Sequence, residues 1–171
     1  MPELEGVAIQ SRDALEVVSI LARKDQHAAL AARLQERFGI ALPEGPRLAA
    51  GKNLSLLGVG PGSWLALREP ADPALITQLR AELDGLASAC DQGDAYAVQR
   101  ISGPKVRDLL GTLIPIDVHA RAFRIGDVAV TQASHIGVVL WRDIDDPDGS
   151  PVFEIAVHRS YAASFRRALV T

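Results

Sequence analysis

Cysteine is almost missing: Cys90 is the only one in 171 residues, so no intramolecular disulfide, Cys-x-x-Cys redox pair or cysteine-built zinc or iron–sulfur site can form within the chain. Aromatic residues are scarce at 5%, and lysine occurs only at Lys24, Lys52 and Lys105 among 18 basic residues. Neither sign of charge dominates. The 18 Lys and Arg face 21 Asp and Glu, a net charge of −3 that lacks the basic footprint of nucleic-acid binding or electrostatic membrane attachment. No apolar run approaches the roughly 20 residues of a spanning helix. The opening MPELEGVAIQSRD shows neither the basic nor the apolar region of a secretory signal. These absences predict a soluble, cytoplasmic chain in a reducing compartment. Phosphate-loop, H-E-x-x-H and G-x-S-x-G motifs are missing too, which leaves nucleotide hydrolysis, helix-borne zinc chemistry and serine hydrolysis without their usual anchors.

What is present is a complete core. Apolar residues make up 48% of the chain, and this length suits one domain or two fused half-domains. Residues 1–12 mix Pro2, Gly6 and charges in no sustained period, so they read as an arm that is mobile or held by a partner and that orders on assembly. Leu15, Val17, Val18, Ile20 and Leu21 predict a strand. Leu30, Leu34 and Phe38 recur every four residues and predict a helix from Asp25 to Phe38, with Asp25 as N-cap and Gly39 as C-cap. The runs Leu54 to Val59 and Trp64 to Leu67 flank the hairpin chemistry of Gly60-Pro61-Gly62. Asp72 and Pro73 open a second helix with Leu75, Leu79, Leu83 and Leu86 on its buried stripe, and Ala87 to Asp91 supplies a closing strand.

The order then restarts. Tyr96, Val98 and Ile101 predict a strand, Ser102-Gly103-Pro104 a turn, and Val106, Leu109, Leu110 and Leu113 a third helix. Strands follow at Val128 to Thr131 and Ile136 to Trp141. An acidic loop, Asp143 to Ser150, leads to a strand at Val152 to Val157 and a last helix with Tyr161, Phe165 and Leu169 on one face. The whole predicts an α+β fold of two ferredoxin-like, split βαβ half-domains, with mainly antiparallel sheets and helices packed on one face. The expected division is an arm at 1–12, a first half at 13–91 and a second half at 92–171, forming one compact unit.

Few residues offer chemistry. Gly58, Gly60 and Gly62 are spaced G-x-G-x-G before a strand, where a phosphate cradle requires a helix, so hairpin glycines are expected. His27, His119, His135 and His158 lack metal-ligand spacing. Ser134-His135 reads as a hydrogen-bonded pair beside a strand turn, and Asp145, Asp146 and Asp148 with Gly149 miss the order of a calcium loop and read as a solvated turn. Asp91 and Asp94 around Gln92-Gly93 read as turn formers, paired carboxylates for acid–base work being the alternative. The segment Pro115 to Arg124 alternates apolar and polar groups without belonging to a neighbouring element. Asp117, His119, Arg121, Phe123, Arg124 and, further on, Trp141 are candidates for contact with another protein, with ordinary edge packing as the other reading.

Asp91-Gln92-Gly93-Asp94, Ile101-Ser102-Gly103-Pro104 with Leu109-Leu110, and Pro115-Ile116-Asp117-Val118-His119-Ala120-Arg121-Ala122-Phe123 together resemble the gamma-subunit family of heterotetrameric sarcosine oxidases. The likeness runs through Thr131, His135 and Val139-Leu140-Trp141-Arg142 to Phe153, Val157 and Arg159-Ser160-Tyr161-Ala162; before Asp91 it rests on Gly58-Val59-Gly60-Pro61-Gly62-Ser63-Trp64-Leu65. The resemblance implies an aminomethyltransferase-like fold of paired half-domains and a small subunit carrying no catalytic, cofactor or metal site of its own. It implies larger alpha and beta flavoprotein chains and a small delta chain as partners, with FAD, FMN, NAD and tetrahydrofolate held there. The assembled oxidase would demethylate sarcosine to glycine, its one-carbon unit passing to tetrahydrofolate or leaving as formaldehyde. Aminomethyltransferases carry a Gly-Gly-x-x-Asp-Asp type strand, whereas Gly126 to Val130 here has only Asp127, so folate chemistry on this chain is not expected. Cys90, in Ala89-Cys90-Asp91-Gln92-Gly93, likewise does not stand in the Lys-Gly-Cys-x-x-Gly-Gln motif of folate-binding iron–sulfur maintenance proteins. The alternatives are a stand-alone binder of folate or an amino acid, and a subunit of a related N-methyl amino acid dehydrogenase.

Overall fold

The computed structural model describes residues 5–170. In chain order these form β1 (Ala8–Ser11), β2 (Glu16–Ala22), α1 (His27–Phe38), β3 (Leu48–Ala50), β4 (Ser55–Gly60), β5 (Ser63–Arg68), α2 (Ala74–Glu82) and β6 (Ala87–Asp91). There follow β7 (Tyr96–Ser102), α3 (Val106–Leu113), β8 (Val128–Ala133), β9 (Ile136–Arg142), β10 (Val152–His158), a 3-10 turn (Arg159–Tyr161) and α4 (Ala162–Val170). They belong to two compact units, one being Ala14–Asp94 and the other combining the residues up to Asp13 with those from Ala95 onward.

Each unit is a five-stranded antiparallel sheet, in the order β6-β2-β5-β4-β3 in one and β1-β7-β10-β9-β8 in the other. Read position by position, the two sheets are the same: a strand, a helix, a three-strand meander and a second helix. The place beside the first strand is filled by β6 in one unit and by β1 in the other. The expected arm at 1–12 is therefore corrected over Ala8–Ser11, which pairs with β7 from Ala8↔Ser102 to Ser11↔Gln99. Its signal is weak because a four-residue strand is too short to display a period; residues 1–4 of that arm lie outside the described residues. β3, at three residues, gives no periodic signal for the same reason.

Local chemistry explains the boundaries. Gly39 adopts φ 62° at the end of α1, so its N–H reaches Gln35 O at 3.1 Å, the left-handed cap expected of glycine. Asp25 is not the N-cap: it is itself left-handed at φ 61° in the strand-to-helix turn, and Gln26 occupies the cap position. Asp72 does serve α2, its Oδ1 accepting the N–H of Ala74 at 3.0 Å. At the β4–β5 hairpin Gly62 takes φ 65°. Gly58 is needed for a different reason, since a Cβ there would lie 1.9 Å from Gly45 O.

The helices of each unit cover one face of its sheet. Leu30, Leu34, Leu75 and Leu79 pack on Val18, Ile20, Leu56, Trp64 and Ala66 in one unit. In the other, Val106, Leu110, Phe165 and Leu169 pack on Ile101, Leu140, Phe153, Ile155 and Val157. Residues on the opposite face of each sheet are buried as well, among them Val17, Leu57 and Leu65 in one and Val98, Val139, Trp141 and Ala156 in the other. Tyr161, expected on the buried face of the last helix, is 54% exposed because the 3-10 turn places it ahead of α4.

Candidate functional site

The segment between α3 and β8 is a series of turns. Asp117 Oδ1 accepts the N–H of His119 at 2.8 Å, His119 O accepts from Ala122 and Phe123, and Asp127 Oδ2 accepts the N–H of Arg124 at 2.6 Å. Two apolar side chains pin it to its unit: Val118 is buried, and the Phe123 ring lies parallel to that of Phe153 with centroids 6.1 Å apart. Arg107 on α3 donates to Val118 O and holds its guanidinium 5.1 Å from the centre of the Phe153 ring. Burial lowers the pKa of Arg107, the neighbouring Arg142 adds to the effect and Asp145 opposes it. Asp117, His119, Arg121 and Arg124 are left exposed.

Of the six residues singled out from the sequence, four thus share one exposed rim and two do not. Phe123 is 6% and Trp141 3% exposed, so neither ring is a surface anchor. Phe123 is the internal fastening of the segment that carries the other four. Trp141 lies on β9, opposite Val128 and Glu154, on the sheet face turned away from α3 and α4.

The remaining candidates have structural partners. Asp145 meets Arg142 and Asp146 meets Arg100, so the acidic loop is tied to its own unit more firmly than a solvated turn. Asp148 accepts the N–H of Ser150 at 2.8 Å, and the backbone and hydroxyl of Ser150 hold its carboxyl below the ordinary carboxylate value. Asp91 Oδ1 accepts the N–H of Gly93 at 2.8 Å, the turn geometry expected of it. His158 stacks on Tyr96 at 4.9 Å, and burial raises the Tyr96 pKa. Ser134 and His135 are both left-handed, at φ 46° and 68°, and form the two-residue β8–β9 turn. Among the described residues no three His, Cys, Asp or Glu stand together where a metal ion could be held.

A second feature was not foreseen. A groove of about 1050 Å³ runs along β1, lined by Ile9 and Ser11, by Arg166 and Arg167 of α4, and by Asp146 and Asp148. Only the pairing of β1 with β7 assembles these residues, and no motif links them in the sequence.

Two units, each a five-stranded antiparallel sheet with two helices on one face, define the fold of this chain as α+β and aminomethyltransferase-like. Aminomethyltransferase T of the glycine cleavage system from Bartonella henselae superposes with a TM-score of 0.71 over 96% of this chain and 45% of its own, at 13% identity. Heterotetrameric sarcosine oxidase from Corynebacterium sp. U-96 contains a chain that superposes with a TM-score of 0.83 over 96% of this chain and 82% of its own, at 24% identity. Identities this low establish the fold alone. The sarcosine oxidase, gamma subunit family model matches residues 23–170. Sarcosine oxidase subunit gamma of Arthrobacter sp is 34% identical over 119 residues, 68% of this chain and 56% of that protein. The chain belongs to the sarcosine oxidase gamma subunit family. It spans little more than half the length of the curated relatives it matches.

Proposed function

We propose that this chain is the non-catalytic small subunit of a heterotetrameric sarcosine oxidase, docking on larger alpha and beta flavoprotein chains beside a small delta chain. The complex oxidatively demethylates sarcosine to glycine in the cytoplasm, and the one-carbon unit passes to tetrahydrofolate or leaves as formaldehyde. FAD, FMN, NAD and tetrahydrofolate sit on the partner chains. The observation that carries this reading is the family match across residues 23–170. Asp117, His119, Arg121 and Arg124 support it: they are charged or polar and exposed, on a segment fastened from beneath by Val118 and Phe123, and such pre-organisation lowers the cost of docking.

Co-expression of the chain with the larger subunits of its host, followed by size-exclusion chromatography, a visible spectrum and a sarcosine oxidation assay, tests the proposal. A yellow complex containing the chain and oxidising sarcosine is expected, and assaying other N-methyl amino acids on the same complex defines the substrate. A colourless, solitary chain, with the larger subunits assembling and turning over normally in its absence, would overturn it.

A further inference from the structure

The outer edge of β1 is an open strand edge set inside a groove. Arg12 N–H donates to Val98 O at 3.0 Å, which makes Arg12 and Val98 a hydrogen-bonded pair. By antiparallel alternation Gln10↔Arg100 and Ala8↔Ser102 are the other bonded pairs, so the N–H and C=O groups of Ile9 and Ser11 point away from β7. Among the described residues no strand lies on that side. The groove of about 1050 Å³ lies along these groups, and β1 offers roughly 13 Å of edge at about 3.3 Å per residue.

The two walls differ in charge, and Glu5 and Asp13 line the groove as well, Asp13 Oδ1 accepting from Ser11 Oγ at 2.6 Å. The side chains of Ile9 and Ser11 share the helix-covered face with α4, whose Arg166 Nη2 lies 3.5 Å from Ser11 Oγ and whose Arg167 also lines the groove. On the other face Asp146, bonded to Arg100, and Asp148 form the second wall. Side chains of an extended segment alternate between faces, so a strand laid here directs one set at the arginines and the other at the aspartates. We infer that the groove receives one extended segment of a partner subunit, which adds a sixth strand beside β1 with acidic side chains toward Arg166 and Arg167 and basic ones toward Asp146 and Asp148. This rests on the subunit reading above and assigns a place to one of its contacts. A second copy of this chain is the poorer occupant, because two-fold pairing of β1 with itself sets α4 against α4 and opposes Arg166 and Arg167 to their equivalents.

The test is hydrogen exchange with mass spectrometry at residues 8–13, on the free chain and on the complex formed with the larger subunits of the host. It is coupled to assembly of the Ser11→Pro variant compared with Ser11→Ala: both lose the Oγ that meets Asp13, Gln99 and Arg166, and only the proline also loses the outward N–H of the edge strand, where proline is tolerated. The Ile9 and Ser11 amides are expected to exchange at least about 10-fold more slowly in the complex, and Ser11→Pro to assemble about 10-fold more weakly than Ser11→Ala, the equivalent of one hydrogen bond. The double variant R166E/R167E is expected to lose assembly to a similar degree and decides the matter if Ser11→Pro does not fold. A complex in which Ile9 and Ser11 exchange at the free-chain rate, with Ser11→Pro assembling like Ser11→Ala and R166E/R167E assembling normally, overturns the inference while leaving the subunit reading intact. Concentration-dependent protection in the isolated chain gives the groove to a second copy and also overturns it. Failure of the wild-type chain to assemble removes both.

Discussion

Arg142 is a cation in a place the residue type rarely occupies: it is 3% exposed, at the end of β9. Its Nη1 donates to Asp143 O and, at 2.8 Å, to Val152 O; its Nη2 meets Asp145; and its guanidinium lies 5.1 Å from the centre of the Phe153 ring. Arg107 stands at the same distance from that ring, so Phe153 joins two guanidinium groups to the Phe123 stack beneath the exposed rim. Truncation would take the Arg142 donor from Asp143 O, leave Val152 O with the Asp143 N–H alone and uncover one face of the Phe153 ring, and a buried polar group left without a partner costs about 1–3 kcal/mol. Arg142→Ala is accordingly expected to destabilise the protein by about 2–4 kcal/mol in urea unfolding, with Arg142→Lys retaining part of the loss because an ammonium cannot reproduce the planar fork. The sequence displays Arg142 only as one more arginine. Its importance arises from burial, which residue type does not report.

At the scale of elements, β1 completes a sheet whose other strands lie some ninety positions further along the chain. Deleting residues 1–11 removes the half-buried Val7 and Ile9 from the second core; at about 1.5–3 kcal/mol for a fully buried side chain of this kind, a loss of about 2–4 kcal/mol is expected in the unfolding transition of that unit. Extending the deletion through Arg12 takes away the guanidinium facing Glu154, which is 1% exposed, and is expected to cost about 3 kcal/mol more. In the β4–β5 hairpin the three glycines separate by role. Gly58→Ala is expected to lower stability by about 1–3 kcal/mol or more through its collision with Gly45 O, whereas Gly60→Ala meets nothing nearer than Ser63 Cβ at 3.8 Å and is expected to be mild, about 0.5–1 kcal/mol at most; thermal melting separates the two. The G-x-G-x-G pattern was legible as hairpin chemistry. That its first glycine answers to a backbone carbonyl thirteen residues upstream was not, because close approach is a property of packing.

For the molecule as a whole, the exposed rim and the fastening beneath it can be told apart by experiment. Charge reversal at Arg121 and Arg124 is expected to slow association with the larger subunits about 10-fold and to make it less sensitive to salt, with the melting temperature unchanged. Phe123→Ala, by contrast, is expected to lower stability by about 3 kcal/mol before any effect on docking can be read. Local chemistry in the sequence determined most of what is regular here: the helix stripes at intervals of three and four, the glycine cap of α1, the hairpin at Gly60-Pro61-Gly62, the closing strand Ala87–Asp91 and the α+β class, all set by contacts within a few residues. Only the tertiary structure decided that Ala8–Ser11 closes the second sheet, that Phe123 and Trp141 face inward while Arg121 and Arg124 do not, and that Arg166 and Arg167 stand across a groove from Asp146 and Asp148. Those outcomes depend on pairing and burial between residues far apart in the chain, and periodicity within a short window carries no record of a distant partner.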